Sequence, residues 1–337
     1  MAISTSSRAS SRDWSDCNGC NLCLLACPVQ KSAHDLTLTP MGRARALQAG
    51  ATATEIADSI DACLTCGACE PACPEKIPLM PMIQNLRADL HQARQAAGQA
   101  EPEWLKTREK PRDPFATIPP VSHPFQKTAF IPVPALARDR TLLARTVKAL
   151  GGEARCGVVA DPGFDIADSL DAGRTVDGAR LLRFIAQFAH AETVIADGAL
   201  LGLLRQHLPK MHFRGMGEMM LPPRSPMRHS LGVGDLLVVE SRAFHADHPR
   251  LVQFYDRLRQ DTGCGINLDL QRIAVATGAS SLQARHDANA AGCHERARDI
   301  LDLHRATQRV VVEDPVEIPV FSAIFTGKVI HLSELMP

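Results

Sequence analysis

The sequence has no excess of charge of either sign and no long apolar run. Its 337 residues include 37 basic and 37 acidic side chains, so the formal net charge is zero. Nucleic-acid-binding proteins concentrate Lys and Arg on one face, and this balance argues against that class. A membrane span needs about 20 consecutive apolar residues, a length that no window approaches. We therefore expect no nucleic-acid partner and no transmembrane segment in this chain.

Two further signatures are missing. Residues 1–12, MAISTSSRASSR, are polar and lack an apolar core, which indicates a disordered tail rather than an export signal. No G-x-G-x-x-G follows a predicted strand, so we expect no flavin or nicotinamide site. Without an export signal, disulfides are not expected. The predicted location is cytoplasmic, either free or peripheral on the inner face of the membrane.

Cysteine is the residue type that stands out, with eleven in the chain. Eight of them form two runs, CNGCNLCLLACP over residues 17–28 and CLTCGACEPACP over residues 63–74. Both runs match C-x2-C-x2-C-x3-C-P, the ferredoxin pattern for a [4Fe–4S] cluster. Zinc sites use pairs of cysteines rather than two quartets followed by proline. The spacing therefore predicts two [4Fe–4S] clusters.

The pattern also predicts which thiolates share a cluster. In two-cluster ferredoxins the fourth cysteine of each run ligates the other cluster, although uncrossed ligation is the alternative. The first predicted ligand set is Cys17, Cys20, Cys23 and Cys73. The second predicted set is Cys63, Cys66, Cys69 and Cys27. Crossing brings the clusters close together, which suits electron transfer. We predict no catalytic residue and no cofactor-binding residue beyond these ligands.

The predicted fold class is α + α/β. A helical two-cluster ferredoxin domain is expected over residues 13–100, with a final helix that ends at Gly98. A proline-rich linker follows over residues 101–128, because its proline density opposes regular helix. Residues 129–337 are predicted to form a duplicated α/β domain, with repeats at about 129–208 and 235–337 and a turn-rich joint at 209–234.

Strand-like segments alternate with helical ones in the last part of the chain. In the first predicted repeat these segments are TAFIPV, ARCGVVA and TVIADG. In the second they are DLLVVE, RIAVATG, RVVVEDP and KVIHL. Strands that alternate with helices in this way are typical of an α/β unit.

The chain resembles iron–sulfur subunits of the cysteine-rich (CCG) family. The features that carry this resemblance are the two cysteine runs, the TPMGRARAL segment between them, the linker and the α/β half. That family includes iron–sulfur subunits of glycolate oxidase, the anaerobic glycerol-3-phosphate dehydrogenase C subunit and heterodisulfide reductase. The resemblance is specific over residues 17–80 and only architectural over residues 129–337. It implies a flavoprotein dehydrogenase partner, together with a membrane anchor or quinone-linked subunit.

The α/β half departs from the family pattern. Family members usually place cysteines after the first, second and third strands of each repeat. The corresponding segments here are IPVPAL, ADPGFD and ADGALLG, then VESRAF, ATGASS and EDPVEIP, all without cysteine. We therefore expect a degenerate half that holds no cluster.

Three cysteines lie outside the runs. Cys156 is expected to be a buried packing residue. Cys264 and Cys293, with His294, form a weak alternative metal site, since such distant ligands are common by chance. His245 and His248 are expected at a helix start or on the surface.

Three functions remain open from sequence. The first is an electron-transfer subunit, without catalysis of its own, that passes electrons between a flavoprotein dehydrogenase and quinone or another carrier. The second is a scaffold or assembly protein whose α/β half docks a partner. The third, a heterodisulfide reductase-like subunit, is disfavoured by the missing cysteines.

Overall fold

The computed structural model describes residues 12–105, 128–196, 198–286 and 292–336. Most of the predicted tail and residues 106–127 of the predicted linker lie outside these ranges. Arg12, the last residue of the predicted tail, donates from its guanidinium to the Glu75 carboxylate over 2.8 Å. The described end of the linker, 101–105, lies against the protein through Arg174, which bonds Glu101 and the Leu105 carbonyl at 2.6 Å each.

The N-terminal part of the described chain is helical. Its α-helices are Leu22–Ala26, Pro28–Ala33, Pro40–Gln48, Ala57–Ala62, Cys69–Ala72 and Leu79–Ala96, with 3-10 turns at Trp14–Asp16, Leu36–Leu38 and Glu103–Leu105. The longest helix buries Ile83, Leu86 and Leu90, the apolar stripe seen in the sequence. It stops where Gly98 adopts φ +64°, the left-handed conformation that terminates helices.

The remaining described residues form two parallel four-stranded sheets. The first contains β1 (Thr128–Phe130), β2 (Cys156–Val158), β3 (Thr193–Ile195) and β4 (His212–Arg214), in the order β2-β1-β3-β4. The second contains β5 (Asp235–Val238), β6 (Gly265–Ile266), β7 (Arg309–Val312) and β8 (Lys328–His331), in the order β6-β5-β7-β8. The observed class is therefore mixed, with helices and parallel sheets.

Helices connect and cover the strands of each sheet. Around the first sheet they are Pro134–Arg138, Arg140–Ala149, Phe164–Asp171, Gly178–Ala186 and Gly198–His207. Around the second they are Ser241–Ala246, His248–Thr262, Leu282–His286, Cys293–Leu303 and Glu317–Ser322, with a 3-10 turn at Leu332–Leu335. Short helices Met216–Met220 and Pro226–His229 lie between the sheets in sequence.

Two expectations about this part are wrong in detail. The segment RIAVATG does not form a strand; the second sheet takes Gly265–Ile266 instead, and RIAVATG contributes only an isolated bridge from Ala274 to Leu268. The turn-rich joint at 209–234 contains β4, which belongs to the first sheet. That sheet therefore extends past residue 208, while its first strand starts at Thr128, the first residue of the predicted segment TAFIPV.

None of the helices in the described ranges combines the length and hydrophobicity that crossing a bilayer requires.

Candidate metal centre

The eight cysteines of the two runs line two cavities. The first cavity has about 420 Å³ of empty space. Its cysteines are Cys17, Cys20, Cys23 and Cys73. The second has about 460 Å³, and its cysteines are Cys27, Cys63, Cys66 and Cys69. Each cavity thus takes three cysteines from one run and the fourth from the other. Pro40 and Leu79 line both cavities, so the two are neighbours.

Local structure explains how three cysteines of a run turn toward one cavity. Non-helical loops hold the first two cysteines of each run, and a short helix begins near the third. Gly19 and Gly67 adopt φ +76° and +78°, which a side chain would strain. A Cβ on Gly19 would lie 2.3 Å from the Arg45 guanidinium. These glycines therefore allow the tight loops that the ligand spacing requires.

Helix Pro40–Gln48 supports the first loop from behind. Its N-cap is Thr39, whose hydroxyl accepts the Gly42 amide at 3.1 Å. Further along, Arg45 donates to the Asn18 carbonyl at 3.0 Å and Gln48 to the Cys17 carbonyl at 2.9 Å. The helix that begins in the TPMGRARAL segment therefore fixes the backbone of the first cysteine run.

The two cavities differ in exposure. In the first cavity Cys20 is exposed, Cys17 and Cys23 are half-buried and Cys73 is buried. At the second cavity Cys63, Cys66 and Cys69 are half-buried and Cys27 is buried. The first cavity therefore opens toward solvent, while the second lies beneath other parts of the chain.

The α/β part covers the second cavity through His245. This side chain is buried, with Nδ1 2.7 Å from the Cys66 carbonyl oxygen and Nε2 accepting the Ala274 amide at 3.1 Å. Because Nε2 accepts, the proton is on Nδ1, which donates to Cys66. Burial lowers the pKa of His245 to about 4, so the ring is neutral at pH 7. The expectation of a helix-start or surface histidine is thus wrong for His245.

Several buried thiols of the two cavities are difficult to ionise without a positive partner. Burial, reinforced by the charges of the neighbouring thiolates, raises the pKa of Cys23 from 9.0 to about 12. Burial likewise raises the pKa of Cys66 to about 12 and that of Cys69 well above its usual value. Four thiolates can converge in one cavity only around a cationic group that offsets their charge. The donor set therefore fits an iron–sulfur cluster.

The cysteines outside the runs do not approach these cavities. Cys156 and Cys264 belong to one apolar core of the α/β part, and Cys293 to another. All three are buried, which raises the pKa of each thiol. Within the described ranges, no group of three or more His, Cys, Asp or Glu side chains is placed to hold a single metal ion. Cys264 and Cys293 with His294 accordingly form no such group.

A third cavity, of about 480 Å³, lies where β1, β3, β5 and β7 end. Its described lining is apolar apart from a few polar groups and contains no cysteine. Glu313 accepts the Tyr255 hydroxyl at 2.5 Å and the Glu240 amide at 2.9 Å. Burial raises the pKa of Glu313 to about 7. The strand ends at this cavity therefore present hydrogen-bonded carboxyl groups.

Sequence reasoning missed the set of residues that hold the loop 63–69 of the second cavity in place. These are Arg87, Asp171, Arg242, His245 and Gln283, all of which bond the loop 63–69 or each other. Their contacts with the loop span up to 220 residues of sequence. Such long-range contacts leave no periodicity or motif, and only the folded chain reveals them.

Comparison with known proteins places the cysteine runs in a recognised domain. Residues 13–77 match the family described as a 4Fe-4S dicluster domain. The chain is 31% identical over 83 residues to a probable glycolate oxidase iron-sulfur subunit of Bacillus subtilis (strain 168). That match covers 23% of this chain and 19% of the relative. No solved structure matches the chain significantly. The N-terminal part is therefore an iron–sulfur domain of the 4Fe-4S type, with a relative among oxidoreductase subunits.

Proposed function

We propose that this chain is the electron-transfer subunit of a multi-subunit oxidoreductase and holds two [4Fe–4S] clusters. The observation that carries the proposal is the pair of adjacent cavities, each lined by four cysteines in the crossed arrangement. When bound, each cluster accepts and releases single electrons. The partner is a flavoprotein dehydrogenase that oxidises a small organic acid or similar substrate, and the electrons leave toward quinone or another carrier.

The protein's own residues then have separate tasks. The cysteines of each cavity hold one cluster, and Pro40 and Leu79 separate the two by a single layer of side chains. The exposed position of Cys20 supports the first cavity as the face that exchanges electrons with a partner. The α/β part excludes water from the second cavity. The proposed organisation is a cluster domain over 13–100, a linker over 101–128 and a two-repeat, CCG-like α/β domain.

The α/β domain is proposed to be a duplicated unit that has lost the family's redox site. The similar strand orders of its two sheets support duplication. The cysteine-free cavity at the strand ends supports the loss of that site and disfavours thiol–disulfide chemistry there. Partner identity, a membrane anchor and a location on the inner face of the membrane remain proposals from the resemblance.

The function can be tested with the full chain purified without oxygen. We expect about eight irons and eight acid-labile sulfides per chain, the content of two cubanes. Zinc, or about four irons, would contradict the double-cluster proposal. A flavoprotein that co-purifies from the native source should reduce both clusters within its turnover time when given substrate. Clusters that stay oxidised during turnover would favour the second candidate, a scaffold whose α/β half docks a partner.

A further inference from the structure

Side chains from distant parts of the fold bond the loop of the second cavity. Gln283 donates to the Cys63 carbonyl at 3.0 Å, and Arg242 donates to the Thr65 hydroxyl at 2.8 Å. His245 adds its bond to the Cys66 carbonyl. The loop that would hold one cluster is therefore fixed by the α/β part rather than by its own domain alone.

Fixed charges lie in the same layer. Arg242 and Asp171 form an ion pair at 2.7 Å, with side chains only 6% and 5% exposed. Asp171 also accepts the Thr65 hydroxyl at 3.2 Å, so both members of the pair touch one loop residue. Arg87 donates to the Cys63 carbonyl at 2.5 Å and to the Asp171 carbonyl. Two buried guanidiniums and one buried carboxylate thus bond the loop of the second cavity, whose lining also includes the buried Arg43.

The charged groups beside the first cavity are exposed instead. Glu75, which lines it, pairs with Arg12, and the two side chains are 34% and 47% exposed. Water and salt screen such groups strongly, whereas buried charges act through a medium of lower dielectric constant. The reduction potential of a cluster in the first cavity therefore provides an internal reference. The buried charges near the second cavity should leave that potential unchanged.

We propose that Arg242 and Asp171 are positioning residues that set the reduction potential of the second cluster, Arg242 raising it and Asp171 lowering it. The inference rests on the proposed function, because it assumes a cluster held by Cys27, Cys63, Cys66 and Cys69. Reduction adds one negative charge to that cluster. A buried cation beside the loop stabilises the reduced form, and a buried anion destabilises it. Potentials of such clusters respond to charge, hydrogen bonds and solvent exposure.

The experiment is a redox titration of the anaerobically purified full chain, followed by electron paramagnetic resonance so that each cluster is seen separately. Arg242→Gln should lower the potential of the second cluster, and Asp171→Asn should raise it. At a fixed potential we expect each variant to change the ratio of reduced to oxidised second cluster at least tenfold, equal to about 59 mV for one electron. The double variant should lie between the two single variants.

Two further variants separate charge from packing. Arg242→Lys keeps a positive charge and should remain closer to the wild-type potential than Arg242→Gln does. Arg228→Gln is the matched control, because Arg228 is 2% exposed and pairs with Asp261 at 2.5 Å, away from both cysteine cavities. It should leave both potentials unchanged.

Opposite shifts from Arg242→Gln and Asp171→Asn, with the first cluster unmoved, would support the inference. Shifts in the same direction would mean that loop geometry, not charge, sets the potential, and would overturn it, as would unchanged potentials. If Arg242→Gln fails to fold, the near-isosteric Asp171→Asn decides by the sign of its shift. Failure of the proposed function is distinguishable, since wild-type protein would then lack two clusters by iron content before any variant is compared.

Discussion

Replacement of Cys73 by Ala tests the crossed ligand sets directly. Cys73 lies in the second cysteine run but lines the first cavity, beside Cys17, Cys20 and Cys23. With the thiolate gone, that cavity retains three cysteines, and we expect its cluster to be lost or left incomplete. Iron content should fall from about eight to about four per chain, because the four cysteines of the second cavity are untouched.

The iron count alone does not say which cluster remains, but the exposure of the two cavities does. Cys20 opens the first cavity to solvent, whereas side chains of the α/β part cover the loop of the second. The cluster left in Cys73→Ala should therefore lose iron slowly to a soluble chelator. Cys27→Ala should leave the exposed cluster, which should lose iron fast. Rates are read from the decay of cluster absorbance after chelator is added.

Two controls complete the comparison. Cys20→Ala removes another cysteine of the first cavity, so Cys20→Ala/Cys73→Ala should match Cys73→Ala in iron content and chelation rate. Cys156→Ala removes a buried thiol from the α/β core and should keep all the iron. If the cluster remaining in Cys73→Ala is the fast one and that in Cys27→Ala the slow one, ligation is uncrossed and our reasoning from the cavities is refuted.

Joint replacement of Cys156, Cys264 and Cys293 by Ala should keep the iron content. It should lower the free energy of unfolding by about 1–3 kcal/mol, measured by denaturant titration. A loss of electron transfer in folded, iron-replete protein would contradict the packing role of these cysteines. Burial raises the pKa of Glu313 from 4.5 to about 7, so its contribution to stability is complete below pH 4.5 and is lost as pH rises through 7. Glu313→Gln should therefore flatten the fall of Tm between pH 5 and 8, and an unchanged slope would contradict this. His245→Ala removes two buried hydrogen bonds, each worth about 1–3 kcal/mol when a partner is left unsatisfied. We therefore expect faster iron loss to a chelator from the second cavity alone. Equal acceleration at both cavities would contradict the role of His245 at the second cavity.

The parts of the structure that the sequence predicts well depend on local rules. Ligand spacing is a property of a dozen consecutive residues, and the tight loops at Gly19 and Gly67 follow it. The helix Leu79–Ala96 has a regular apolar stripe and a glycine just beyond its end, so its existence and its limit are both predictable. Neither feature needs knowledge of the rest of the chain.

The segment RIAVATG shows where such rules fail. Its residues are apolar and buried as predicted, but they do not form a strand of the sheet. Part of the segment is buried by packing against the cysteine runs. Ile273 packs with Ala26 and Ala68, which lie in the two cysteine runs. The Asn267 side chain accepts the Val239 amide at 3.0 Å and donates to the Val275 carbonyl at 3.0 Å. A short apolar run cannot reveal which of two surfaces will cover it.

The contact between Ile273 and the cysteine runs bears on what the α/β part does for the cysteine loop. If its only role were to dock a partner, its contacts with the second cavity could be apolar and replaceable. Instead, the helix Ser241–Ala246 directs Arg242 and His245 at the cysteine loop, and its Ala243 and Phe244 line the carboxyl-bearing cavity between the sheets. Burying a guanidinium is costly unless it is paired and hydrogen-bonded, and here the fold provides Asp171 for that purpose. A charge pair buried at that cost beside the loop of one cysteine cavity and not the other points to an electrostatic role in the proposed electron transfer, and the opposite shifts expected from Arg242→Gln and Asp171→Asn are its direct consequence.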